Sequence, residues 1–180
     1  MQPGNRKVIL YIAMSLDGYI ARPDGDISWL SVVEQEGEDY GYKSFTETVD
    51  TVIMGRKTYE KILSFGIEFP HKDKKVYVIS RSRKGSDGNV EFSDNVDALL
   101  SNLKNTQGKN IYLDGGAELV NDMMQRDLLD EMIISVIPFM PGNGIRLFQE
   151  INKEHKLRLM DSQLFSSGLV QLHYLLESHA

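Results

Sequence analysis

The chain contains no cysteine. Disulfides, thiolate nucleophiles and cysteine-ligated zinc are therefore excluded. It also lacks a basic excess: 20 lysines and arginines stand against 26 aspartates and glutamates, a formal net charge of −6. No lysine- or arginine-rich block offsets that acidity, which argues against nucleic acid as a partner, although a local basic pocket remains compatible with it. The apolar run at residues 8–14 is too short to span a bilayer and has no small-residue cleavage site. The expectation is a cytoplasmic protein without a membrane partner. The histidines His71, His155, His173 and His179 form neither an H-x-x-x-H nor an H-E-x-x-H pair, so no metal site is expected. Repeats, low-complexity tracts and linkers are missing too, and 180 residues suit one domain, residues 1–180, with a sizeable core.

What the chain does have is glycine at two strand-to-helix junctions. Val52-Ile53-Met54-Gly55-Arg56-Lys57-Thr58 and Ile111-Tyr112-Leu113-Asp114-Gly115-Gly116-Ala117-Glu118 each end an apolar strand-type run at glycine and continue into helix-compatible sequence. Such a junction aims free backbone N–H groups and the positive helix end at one point, and glycine admits close approach of a ligand. Two of them suggest a molecule with two phosphates lying across a sheet.

Strand patterns at residues 7–14, 51–54, 75–80, 89–92, 110–113 and 132–137 alternate with helical patterns at 57–63, 96–103 and 117–124. Near-continuous apolar strands belong to sheets covered on both sides. Residues 34–48 read as a polar helix with Tyr40, Phe45 and Val49 facing inward, and residues 84–88 as an exposed loop. Residues 157–165 and 169–176 form a hairpin around Ser166-Ser167-Gly168. The fold class is α/β, a mostly parallel central sheet with an antiparallel C-terminal hairpin.

Each candidate site has an ordinary reading beside the functional one. Gly55-Arg56-Lys57-Thr58 combines cations and a hydroxyl at a helix start, as phosphate binding requires, or is a plain βα turn; it lacks Walker A spacing. Gly115-Gly116 lacks the G-x-G-x-x-G fingerprint and is a second phosphate turn or simple turn chemistry. Ser80 and Arg81 at a strand end could hold a 2′-phosphate, while Arg83 and Lys84 read as a solvated loop. Asp39 is either a semi-buried acid serving a nitrogen heterocycle or one more solvated carboxylate beside Glu34, Glu36 and Glu38. Trp29 is a pocket wall or packing.

Taken in order, Ser15-Leu16-Asp17-Gly18-Tyr19-Ile20-Ala21, Ile53 to Glu60, Val78-Ile79-Ser80-Arg81 and Gly115 to Leu119 resemble the dihydrofolate reductase-like superfamily, nearest its riboflavin-biosynthesis reductase group. The resemblance covers almost the whole chain and implies a three-layer fold. It also implies hydride transfer from NADPH to a small heterocycle such as a pyrimidine or pterin, and a homodimer. It puts Arg56, Lys57 and Thr58 at the pyrophosphate and Ser80 and Arg81 at the 2′-phosphate. Gly115, Gly116, Ala117 and Glu118 fall at the second phosphate turn, where relatives carry a cis Gly-Gly bond, and Ala13 and Ile20 beside the nicotinamide. Asp39 and Asp17 are its two candidates for substrate contact. The bifunctional enzymes carry a cysteine-ligated zinc deaminase domain, for which this chain has neither cysteine nor room. No second cationic cluster stands out for a substrate phosphate; Arg22, Lys43 and Arg146 are the candidates. Dihydrofolate reductase activity through Asp39 and a nucleotide-binding protein without catalysis are the alternatives.

Overall fold

The computed structural model describes residues 6–149 and 152–177, so His179 and the first five residues lie outside it. Strands β1 (Val8–Ser15) and β2 (Tyr19–Ala21) lead to a 3-10 helix (Ser28–Val33), α1 (Tyr42–Glu47), β3 (Val49–Gly55) and α2 (Arg56–Ser64). Next come β4 (Lys75–Ile79), β5 (Gly85–Asp87), β6 (Val90–Ser93), α3 (Val96–Lys104), β7 (Asn110–Gly115) and α4 (Ala117–Gln125). The chain ends in β8 (Glu131–Ile137), β9 (Ile145–Arg146), β10 (Lys156–Leu164) and β11 (Val170–Glu177).

Nine strands form one sheet in the order β10-β11-β8-β1-β7-β3-β4-β6-β5. The six strands from β8 to β6 in that order run parallel; β11 and β5 run against them at the two margins, and β10 pairs antiparallel with β11. Both faces are covered. Val8, Leu10, Ile53, Ile111 and Leu113 pack beneath α3 and α4 through Leu100, Leu103, Val120 and Met123. Ile9, Val52, Met54, Val76, Val78 and Tyr112 pack beneath α1 and α2 through Phe45 and Tyr59. Double coverage is why these strands are apolar at successive positions, and each fully buried aliphatic side chain contributes on the order of 1.5–3 kcal/mol.

The edge of the parallel strands where they begin is closed by a buried arginine. Arg6 donates to the Lys109 carbonyl at 2.7 Å and to the Thr51 hydroxyl at 2.7 Å, and pairs with Asp50. A small second sheet pairs β2 with β9. There Gly144 sits at φ +150°, and a Cβ added to it would stand 2.2 Å from the Ala21 carbonyl oxygen.

Two sequence expectations are corrected. Residues 34–48 are not one helix: only Tyr42–Glu47 is helical, because Gly37 and Gly41 adopt φ of +80° and +81° and break the run. Phe45 and Val49 are buried as expected, but Tyr40 stands in the preceding loop at φ +57°. Residues 84–88 are not all loop either, since Gly85–Asp87 adds an exposed antiparallel edge strand to β6.

Candidate active site

β3 and β7 are parallel neighbours, with Met54 opposite Gly115. Their helices α2 and α4 therefore start side by side at the edge where the parallel strands end. The two junctions touch. A Cβ at Gly55 would lie 3.6 Å from the Gly116 nitrogen, and one at Gly116 would lie 3.0 Å from the Thr58 hydroxyl oxygen. The Gly115–Gly116 bond is cis. No side chain caps either helix, so the first-turn N–H groups keep the capacity to receive an anion.

Cations surround this edge. Lys57 Nζ lies 2.7 Å from Glu118 Oε1, and its hydrogen bond and charge, joined by the field of Arg81, hold the Glu118 carboxyl below the ordinary glutamate value. Arg56 pairs with Glu60 one turn along α2. The Ser80 side chain is buried after β4, and its hydroxyl accepts the Arg83 N–H at 3.0 Å, so it shapes the turn that presents exposed Arg81. Arg83 lies 4.2 Å over the Phe92 ring and Lys84 pairs with Asp94, the ordinary reading for both. Uncapped paired helix starts with Lys57 and Arg81 beside them fit a dinucleotide carrying two phosphates.

A cavity of about 390 Å³ opens beside the sheet, on the face covered by α1. Tyr11, Ala13, Ser135 and Ile137 come from β1 and β8, Leu30 and Val33 from the 3-10 helix, Tyr40 from the loop before α1 and Tyr42 from its first turn. Gln171 on β11 ties these parts together: its Nε2 lies 3.0 Å from the Tyr11 hydroxyl, 3.1 Å from the Tyr40 carbonyl and 3.1 Å from the Ser135 hydroxyl. The Tyr11 hydroxyl itself donates to the Tyr40 carbonyl at 2.8 Å. Burial raises the Tyr11 phenol, and burial with the nearby Asp114 charge pushes Tyr42 up to about 12. Both phenols are therefore protonated at neutral pH.

The predicted carboxylates occupy different stations. Asp39 borders the cavity, but it is exposed rather than semi-buried, and it accepts the N–H groups of Gly41 at 2.9 Å and Lys43 at 3.0 Å at the start of α1. Asp17 does not line the cavity. It accepts the Ser15 hydroxyl at 2.6 Å and the Gly142 N–H at 3.0 Å, stapling two loops. Burial opposes its ionisation, but these bonds and the charge of Arg146 outweigh it and lower the carboxyl. Ala13 lines the cavity, whereas Ile20 packs with Ile12 and Met14 against the core of the opposite face. Trp29 is no cavity wall; it is buried and stacks on Phe139 at 5.6 Å.

Sequence reasoning missed a polar cluster behind the cavity. Asp114, immediately before the glycine pair, accepts the Tyr112 hydroxyl at 2.6 Å and lies 3.1 Å from His71 Nε2. His71 and Tyr112 are only 3% and 4% exposed. His71 and Asp114 stand 43 positions apart, so spacing carried no signal; the one clue was a carboxylate ending an apolar strand.

This architecture, a mostly parallel covered sheet with paired helix starts at one edge and an antiparallel hairpin at its margin, is a dihydrofolate reductase-like fold. The sequence pattern of the RibD C-terminal domain matches residues 6–171, and the chain belongs to that family. It is 50% identical over 171 residues to the Bacillus subtilis protein YwjB, covering 94% of this chain and 97% of that one. The crystal structure of a putative riboflavin biosynthesis protein from Shewanella sp. PV-4 superposes with a TM-score of 0.88 at 30% identity, covering 96% of this chain and 99% of that one. The Enterococcus faecalis dihydrofolate reductase, solved with NADP(H), shares the fold at a TM-score of 0.66 and 14% identity, covering 96% and 97%. Among the described residues no helix is long and apolar enough to cross a membrane.

Proposed function

We propose that the protein is an NADPH-dependent reductase of a small heterocyclic substrate, allied to the 5-amino-6-(5-phosphoribosylamino)uracil reductases of riboflavin biosynthesis. The observation that carries this is the contact between two helix starts that no side chain caps, with a cavity beside the same sheet. Membership of the RibD C-terminal family supports it.

NADPH supplies the hydride when bound. Arg56, Lys57 and Thr58, with the first-turn amides of α2, receive one part of the pyrophosphate, and the amides of Gly115, Gly116, Ala117 and Glu118 receive the other. Ser80 shapes the turn from which Arg81 reads the 2′-phosphate. Ala13 and Ile20 are the residues assigned to the nicotinamide, and the substrate ring occupies the cavity over Ala13. Tyr11 and Tyr42 keep their protons there, and their rings wall the cavity. Of the two carboxylates, Asp39 is the one at the cavity, which favours it over Asp17 for substrate contact.

Fluorescence titration of NADPH and NADH against wild type and Arg81→Ala tests the reading. Tight NADPH binding, weaker NADH binding and loss of that preference in the variant are expected. Absence of binding by either dinucleotide refutes it.

The same reading extends to a homodimer joined through β10, an edge strand that exposes Leu157, Leu159, Met160 and Leu164. Light scattering should give twice the 20.4 kDa chain mass; a monomer mass refutes this.

A further inference from the structure

We infer that the cavity takes a heterocycle carrying no phosphate, so that this chain does not share the phosphorylated substrate of the phosphoribosylaminouracil reductases. The inference rests on the reductase reading above and narrows it. The cavity's charged lining is entirely acidic: Glu34, Glu38 and Asp39 form its rim, and no lysine, arginine or histidine lines it among the described residues. A phosphate carries a charge of about −1.5 to −2 and needs charge-assisted donors when water is removed from it.

Of the three candidate cations, Arg22 and Arg146 are engaged elsewhere, and Lys43 does not line the cavity. Arg22 pairs with Asp26 at 3.1 Å and lies 5.8 Å over the Phe139 ring. Arg146 lies 4.7 Å over the Tyr19 ring and acts on Asp17. Lys43 is exposed, and it is its backbone N–H that meets Asp39. Glu38 and Asp39 are held in place rather than free to swing away. Glu38 accepts the Tyr40 N–H at 2.7 Å, and the Asp39 oxygens accept those of Gly41 and Lys43.

The floor has the opposite character. Ser135 is buried, lines the cavity and accepts from Gln171, so its O–H can serve an acceptor placed there. Aromatic surface from Tyr11 and Tyr42 supplies the walls. A volume of about 390 Å³ lies near the small end of ligand pockets, which run from about 300 to 1,000 Å³. The occupant these groups select is a compact ring with carbonyl acceptors at its inner end. Its outer end is neutral or cationic, with amino groups facing the carboxylates.

The test is calorimetric titration of the NADPH-loaded protein with 5-amino-6-(5-phosphoribosylamino)uracil and with its dephosphorylated form, at low and moderate salt. The dephosphorylated form should bind at least about tenfold more tightly, with the gap wider at low salt. A Glu34→Gln/Glu38→Gln double variant, which keeps the acceptor oxygen for Tyr40, should narrow the gap. Equal or tighter binding of the phosphorylated form overturns the inference. If NADPH binds but neither compound does, the cavity is the wrong site and the inference falls alone. If NADPH itself fails to bind, the reductase reading falls and takes the inference with it.

Discussion

Asp114 is the residue whose removal should be felt most sharply near the candidate site. Substitution by alanine takes the acceptor from the Tyr112 hydroxyl, leaving it a 3.3 Å contact with the Tyr11 carbonyl and the neighbouring Tyr42 hydroxyl, and takes the partner from His71 Nε2. Both groups are buried, and each orphaned polar group costs about 1–3 kcal/mol, so Asp114→Ala should destabilise by about 2–5 kcal/mol after allowance for the substitute contacts. That is a large share of a total stability of about 5–15 kcal/mol. Asp114→Asn keeps an oxygen for Tyr112 and offers a donor to the imidazole, and should cost about 1 kcal/mol or less. Urea denaturation measures both, the stability change appearing as a shift in midpoint at constant slope. An alanine variant as stable as wild type refutes the idea that the cluster is held by polar satisfaction. An asparagine variant as damaged as the alanine one shows instead that the negative charge is what matters.

Other outcomes follow from the same contacts. Asp50→Ala leaves the Arg6 guanidinium buried without its carboxylate, at a cost of about 3 kcal/mol; because this lies at the sheet edge remote from the paired helix starts, NADPH affinity of the folded protein should not change. Glu131 lies below the ordinary glutamate value because Lys7 and His173 outweigh its burial. A depressed carboxyl stabilises the fold above its unfolded value and loses that contribution as pH falls through the folded one, so Glu131→Gln should flatten the acid limb of a stability–pH profile measured by urea midpoints. Gly144→Ala forces a Cβ into the Ala21 carbonyl and should unpair β9 from β2, read as faster amide exchange at Leu147, whose N–H donates to the Gly18 carbonyl. Asp39→Asn keeps an acceptor for α1 while removing charge; if the protein is a dihydrofolate reductase it should lose most turnover with dihydrofolate, and unchanged turnover sinks that alternative.

Most of the fold was legible because the central strands are buried on both faces. Val8 to Leu10, Val52 to Met54 and Val76 to Val78 announce themselves as unbroken apolar runs, and α3 does so through Val96, Leu99, Leu100 and Leu103. Both glycine junctions were legible as well, since a strand must end where glycine opens the turn. The stretch before α1 was not, because helical composition at residues 34–41 is overruled by two left-handed glycines and by an Asp39 that ends the loop rather than facing the sheet. The edge strand β5, Gly85-Ser86-Asp87, has no apolar residue and is defined only by its ladder to β6. Gln171 could be placed on the wetter side of its strand, but its three partners come from three remote segments, and no local pattern encodes such a meeting.

The same bridge joins residues made near opposite ends of synthesis. Tyr11 and Gln171 stand 160 positions apart, and the strand that carries Gln171 pairs with β8 only after the intervening β10 has been made. During synthesis the two glycine junctions are complete once α4 has formed, while Tyr11, the Tyr40 carbonyl and Ser135 still lack the amide that holds them together. Every residue of the anion-binding edge is therefore synthesised before the residue that ties the cavity's three segments together.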